Sequence, residues 1–188
     1  MTTIIGISGS LRKASYNAGL LRAAKDATPA GAVLQIETIR GIPLYDGDEE
    51  AASGLPPRVK ELKELIVAAD ALLLVTPEYN NAMPGVFKNA IDWLTRPASD
   101  VKRVFGGKPV GVIGATPSGW GTLLSQQSWL AVLRHIGAEH WSGGRLALSK
   151  AMDHFDPDGN VKDDAVHTQL KTYMEGFVGF VKAIKSRP

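Results

Sequence analysis

Short apolar runs rich in branched residues alternate along this chain with segments of helical spacing, and no other feature restricts the fold as tightly. Thr3 to Ser8, Ala32 to Ile39, Ala71 to Thr76 and Pro109 to Ala115 each read as a strand buried on both faces. Between and after them, Val59, Leu62, Ile66 and Ala69 share one helical face, as do Val86, Phe87, Ala90, Ile91 and Leu94. Val166, Leu170, Tyr173, Phe177, Val181 and Ile184 repeat the period near the C-terminus, and Gly143 to Leu148 offers a fifth strand before it. The order reads βαβαβαβαβα. Short connections between such elements imply parallel strands and right-handed crossovers, hence a doubly wound α/β sheet in the order 2-1-3-4-5 with helices on both faces. Gly41 to Pro57, rich in Pro, Gly and Asp, is expected to be an irregular surface connection.

Bulk composition removes several classes of function. A chain of 188 residues fits one domain, taken as residues 1–188. Its 21 basic and 19 acidic residues include no run of five like charges, so neither a nucleic-acid arm nor a membrane-binding arm is expected. The absence of cysteine excludes disulfides, thiol nucleophiles and thiolate metal sites, so any redox chemistry must use a bound cofactor. No stretch approaches 18 consecutive apolar residues, and the N-terminus lacks a secretory pattern; a cytoplasmic location is expected. His135, His140, His154 and His167 show no HExxH spacing, so no metal site is expected. Asp153, Asp156, Asp158, Gly159 and Asn160 faintly resemble a calcium loop, but no Glu falls at the twelfth position and no flanking EF-hand helix pair is evident, so DPDGN reads as a turn.

In doubly wound sheets ligands bind beyond the carboxyl ends of the strands at the switch point, which directs attention to the loops after strands one, three and four. The first, SGSLRKASYN from Ser8 to Asn17, combines small residues, two cations and hydroxyl and amide donors at a helix start. That composition suits a phosphate, because the first N–H groups of a helix point outward at the positive end of its dipole. Neither a GK[ST] nor a GxGxxG pattern is present, which disfavours a nucleoside triphosphate and a Rossmann dinucleotide. Ser15 as a plain helix N-cap and Arg12 as a solvated side chain is the competing account. The second loop, Thr76 to Trp93, reads TPEYNNAMPGVFKNAIDW. Pro77 and Pro84 brace it, and its backbone amides and Tyr79 could hold the edge and face of a flat heterocycle, although an ordinary β–α turn is also rich in Pro and Asn.

GSLRKASYN followed by PEYNNAMPGVFKNAIDW resembles the paired signature of the NAD(P)H-dependent FMN reductases, roughly GSLRxxSxN then PEYNxxxPGxLKNAIDW. That family includes chromate-, quinone- and azo-reducing members. The segment PLYD at Pro43 to Asp46 is also typical of it, and the resemblance covers essentially the whole chain. It implies a flavodoxin-like three-layer sandwich that binds FMN and uses NADPH or NADH as co-substrate. By this resemblance Ser10, Arg12, Ser15 and Asn17 hold the FMN phosphate, while Pro77, Glu78, Tyr79 and Asn80 line the ring and ribityl side. Lys88, Asn89, Asp92 and Trp93 match the family's helix as support or subunit contact, and Phe87 stands where Leu is usual, a change expected to affect packing alone.

The third loop, Thr116 to Thr122, has small residues that let a backbone approach the flavin, and Ser118 and Gly119 are its candidate contacts. It lacks the longer Gly-rich stretch of many relatives, and Trp120 reads equally as a substrate stack or an oligomer contact. The implied reaction is ping-pong: hydride passes from nicotinamide C4 to flavin N5, then electrons pass to a quinone, azo dye, free flavin or a metal oxyanion such as chromate. No catalytic side chain is assigned, since the flavin carries the chemistry. A homodimer or homotetramer is implied. The alternative is a flavodoxin-type electron carrier that binds FMN without reacting with NAD(P)H, though a sequence pI of about 8.8 is unlike the acidic carriers.

Overall fold

A computed structural model describes residues 1–187; the expected domain boundary at Pro188 lies outside the described residues. Four full strands form as anticipated: β1 (Thr2–Ser8), β2 (Ala32–Thr38), β3 (Ala71–Val75) and β4 (Pro109–Ala115). All pairings are parallel, and the order is β2-β1-β3-β4, with the fifth position beyond β4. Because β3 and β4 carry helices on both sides, every one of their residues is buried.

The fifth strand differs from the expectation at Gly143 to Leu148. It is broken into β5 (Glu139–His140) and β6 (Ala147–Leu148), each pairing with β4 over two residues. The interruption accommodates Trp141, whose ring meets Tyr173 edge-on at 4.7 Å and tilts against Phe177 at 5.6 Å. A Cβ on Gly143 would lie 2.5 Å from that indole, so glycine lets the backbone pass close to the ring.

Helices cover both faces. One core joins α1 (Tyr16–Asp26) and α8 (Asp164–Lys185) to the sheet through Ile4, Leu21, Leu73, Ile113, Leu170 and Phe177. The other places α3 (Pro57–Ala68), α4 (Gly85–Leu94), α5 (Val101–Phe105) and α6 (Leu123–His135) against Ile5, Ile7, Leu72, Leu74 and Val112. The stretch Gly41 to Pro57 is not wholly irregular: it contains α2 (Gly47–Ser53). Asp46 caps it by accepting from the Asp48 amide at 2.8 Å, and Asp48, Glu49 and Glu50 complement the dipole of its first turn. A last short helix, α7 (Ala151–His154), precedes the Asp156–Asn160 turn. No helix among the described residues is long and apolar enough to cross a membrane.

Candidate functional site

The carboxyl ends of β1, β3 and β4 lie side by side, and a cavity of about 320 Å³ opens where their loops meet. It is lined by Ser10, Arg12, Ser15, Tyr16 and Asn17 from the first loop, Pro77, Glu78 and Tyr79 from the second, and Ala115, Thr116 and Pro117 from the third. A larger groove of about 520 Å³ lies between α4 and α6, lined by Lys88, Ile91 and Asp92 of α4 and Ala131, Val132 and His135 of α6, and shares no lining residue with the first cavity.

The first loop leaves β1 through Gly9, where a Cβ would sit 2.2 Å from the Phe87 ring, so only glycine passes. Phe87 is buried and also meets Trp129 edge-on at 5.0 Å. Internal bonds then use the loop's acceptors. The Ser8 hydroxyl accepts from the Ser10 amide, the Ser10 hydroxyl from the Arg12 amide, and the Ser15 hydroxyl from the Ala18 amide as the N-cap of α1. With these oxygens accepting, the hydroxyl hydrogens of Ser10 and Ser15 remain for an acceptor in the cavity, beside the first amides of α1, which have no intrahelical partner. Arg12 is exposed, its guanidinium 5.1 Å from the Tyr16 ring centroid. The N-cap account of Ser15 is therefore compatible with the ligand account.

Asn17 is 4% exposed and performs a second task. Its Nδ2 donates to the Ala115 carbonyl at 2.8 Å, and its Oδ1 accepts from the Ala115 amide at 3.0 Å, clamping α1 to the end of β4. One Nδ2 hydrogen is left for the cavity it lines.

The second loop rests on a buried polar network. The Ser125 hydroxyl donates to the Pro77 carbonyl at 2.8 Å, the Thr76 hydroxyl lies 2.8 Å from that of Ser125 and 3.0 Å from the same carbonyl, and the Trp129 indole N–H donates to Thr76 Oγ1 at 3.1 Å. Each hydroxyl has one hydrogen, so with the Ser125 hydrogen on the Pro77 carbonyl the Thr76 hydrogen serves either that carbonyl or Ser125 Oγ, one at a time. Glu78 accepts from the Ser125 amide at 3.0 Å and so caps α6 from outside the helix. Tyr79 is half exposed and pairs with Ala82 across a narrow turn whose tip residues, Asn80 and Asn81, have φ of 51° and 63°. That left-handed backbone suits Asn.

Of the ten residues read from sequence, seven line the cavity: Ser10, Arg12, Ser15, Asn17, Pro77, Glu78 and Tyr79. Asn80 occupies the turn tip, and Ser118 and Gly119 lie exposed further along the third loop, where the Ser118 carbonyl accepts from the Lys150 amide. Tyr16 was missed; its position as the first residue of α1 and its aromatic ring were the available signals. Asn89 and Trp93 are supports: they bond the Pro43 carbonyl, and Asn89 also accepts from the Tyr45 amide, pinning the PLYD segment to α4. Lys88 pairs with Asp92 at 2.7 Å.

A doubly wound flavodoxin-like sheet with a cavity at its switch point, between a helix start and a proline-braced aromatic loop, is the architecture of the cofactor-binding α/β proteins. A model described as NADPH-dependent FMN reductase matches residues 2–153. An NAD(P)H-dependent FMN reductase of Pseudomonas aeruginosa is 37% identical over 97% of this chain and 96% of its own length. A 2-hydroxy-1,4-benzoquinone reductase of a Burkholderia species is 33% identical, with 94% of each chain covered. Among solved structures, FerB of Paracoccus denitrificans, a flavoenzyme NAD(P)H:(acceptor) oxidoreductase, superposes with a TM-score of 0.85 at 32% identity, covering 97% of this chain and 98% of that one. The chain belongs to the NADPH-dependent FMN reductase family and is an oxidoreductase, so the simple electron-carrier reading falls away.

Proposed function

We propose that this protein binds FMN in the cavity between the β1, β3 and β4 loops and uses NADPH or NADH to reduce quinone-type acceptors. The observation that carries the reading is the donor set at the start of α1: two serine hydroxyls that each accept one backbone bond and keep their hydrogen to donate, an exposed guanidinium and free helix amides, together fitted to a phosphate. Bound there, the flavin supplies hydride acceptance from the nicotinamide and two-electron delivery to the acceptor.

The chain's own residues bind and orient. Ser10, Arg12 and Ser15 hold the phosphate with help from Asn17, whose clamp on Ala115 keeps the helix start at a fixed distance from the third loop. Pro77, Glu78 and Tyr79 line the ring side, held by the Thr76–Ser125–Trp129 network. Asn80, Ser118 and Gly119 stay in the proposal as outer contacts that a bound cofactor reaches. The quinone class rests on the Burkholderia relative. A homodimer or homotetramer in the cytoplasm, built on one domain, is part of the same reading; Trp120, 80% exposed, with Leu123 and Leu124, supports a partner surface.

FMN titration followed by absorbance and flavin fluorescence tests it. We expect about one FMN per chain and, in the loaded protein, NAD(P)H oxidation that depends on added benzoquinone. No FMN binding would overturn the reading.

A further inference from the structure

The turn Asp156–Asn160 has no role in the reading above and lies beyond the residues matched by the family model, yet it packs against the back of the phosphate loop. Tyr16, Gly19 and Arg22 lie three apart on α1 and so share the face that meets it. At the near end, the buried Phe155 ring packs on Tyr16 at 5.0 Å, and Tyr16 in turn carries Arg12 on its ring. In the middle, a Cβ on Gly19 would lie 1.6 Å from the Gly159 carbonyl oxygen. Gly159 itself, at φ 79°, sits so close that its own Cβ would be 3.0 Å from the Ala14 carbonyl group. At the far end Arg22 donates to the Asn160 side-chain oxygen at 2.7 Å.

The turn is stiff enough to act as a support. Asp156 Oδ1 accepts from the Asn160 amide at 2.8 Å, Asp156 Oδ2 from Asn160 Nδ2 at 3.2 Å, and the Asp156 carbonyl from the Gly159 amide at 3.0 Å. The bridge between Phe155 and Val161 closes its base.

We propose that the Phe155–Asn160 turn is a positioning element for phosphate recognition: it fixes the Ala14–Ser15 backbone through Gly159 and the Arg12 guanidinium through the Phe155–Tyr16 pair. The proposal rests on the FMN reading. Its physical basis is that a phosphate site depends on its donors being held in place by packing behind them, and here that packing comes from a segment remote in sequence.

The test compares FMN with riboflavin, which lacks the phosphate, on full-length protein stripped of flavin. Gly19→Ala is chosen because alanine favours the helix while its methyl forces Gly159 away. Asn160→Ala is chosen because it loosens the turn at an exposed position. Each variant is expected to weaken FMN by about tenfold and riboflavin by less than about twofold, with circular dichroism unchanged. Equal weakening of both ligands, or unchanged FMN affinity in Asn160→Ala, would overturn the proposal. If Gly19→Ala fails to fold, Asn160→Ala decides alone. Wild-type protein that binds no FMN sinks the functional reading and this proposal with it, whereas wild type that prefers FMN to riboflavin while both variants keep that preference sinks the turn's role alone.

Discussion

Arg12 and Tyr79 line the cavity from different loops, and the chemistry of each makes a separable claim. Arg12 is exposed on the Tyr16 ring, so its charge is available to an anion without loss of a buried partner. A charge-assisted hydrogen bond to phosphate contributes about 1.5–3 kcal/mol, so Arg12→Ala should weaken FMN by roughly 10- to 150-fold and leave riboflavin almost unaffected. The Ser10 and Ser15 hydroxyls and the helix amides remain, so binding is reduced without being abolished. Lys13→Ala is the control; a strong loss there with Arg12→Ala within about twofold of wild type would reverse the assignment. Tyr79, half exposed at the ring side, should act on geometry. Tyr79→Ala is expected to shift the flavin absorbance bands and slow stopped-flow reduction by NADPH, and unchanged spectra and rates would leave Tyr79 a turn residue only.

At the scale of elements, the site depends on how α1, β4 and α6 are held together at the sheet's carboxyl edge. Asn17 fastens α1 to β4 through two bonds to a fully buried backbone unit. Asn17→Ala leaves the Ala115 N–H and carbonyl unpaired, which should cost about 2–4 kcal/mol in urea denaturation. A loss under about 0.5 kcal/mol would show that the clamp is dispensable. Farther from the site, α2 is latched to the segment just beyond α4 by Glu50, which accepts from Arg96 at 2.8 Å and from the Tyr45 hydroxyl at 2.9 Å. Lys63, 2% exposed, ties α3 to the turn before α5 by bonding the Arg96 carbonyl and Asp100. Together these bonds order the long connection after β2 that forms one flank of the molecule.

For the whole molecule, pH sets stability through groups whose protonation differs between folded and unfolded chains. His140 is half buried, and burial holds it below its ordinary 6.5. As pH falls below 6.5 the unfolded chain takes up that proton first, so stability declines on the acid side of neutrality. The Asp163 carboxyl is held below 3.8 by the His154 hydrogen bond, and that of Asp100 by Lys63 and then Arg103. Their contribution is complete above the unfolded value and is lost as pH falls through the lower folded one. The thermal midpoint should therefore sag gently below pH 6.5 and steeply below about 4. In His140→Gln the gentle part should flatten; a midpoint that still falls equally between pH 6.5 and about 5 would remove His140 from the account.

Local pattern was enough to specify the layers of this protein and to direct attention to the loops that line its candidate cavity. The strand runs and the three- and four-residue helical spacings are short-range properties, and topology places ligands at the switch point, so Ser10, Arg12, Ser15, Pro77 and Tyr79 could be reached from the chain alone. Three features needed the folded molecule. The fifth strand is broken because Trp141 must reach Tyr173 and Phe177 on α8, a demand invisible within its own segment. Asn17 bonds a backbone unit 98 residues away, and Glu78 caps a helix 47 residues on, so neither partner could be read from the motif that contains it. The Gly159 turn looked like an ordinary connection, and only its contact with Gly19 and Ala14 reveals what it supports. Spacing along a chain reports which faces are apolar, whereas long-range packing decides which polar groups meet, because each such pairing depends on where every intervening element has docked.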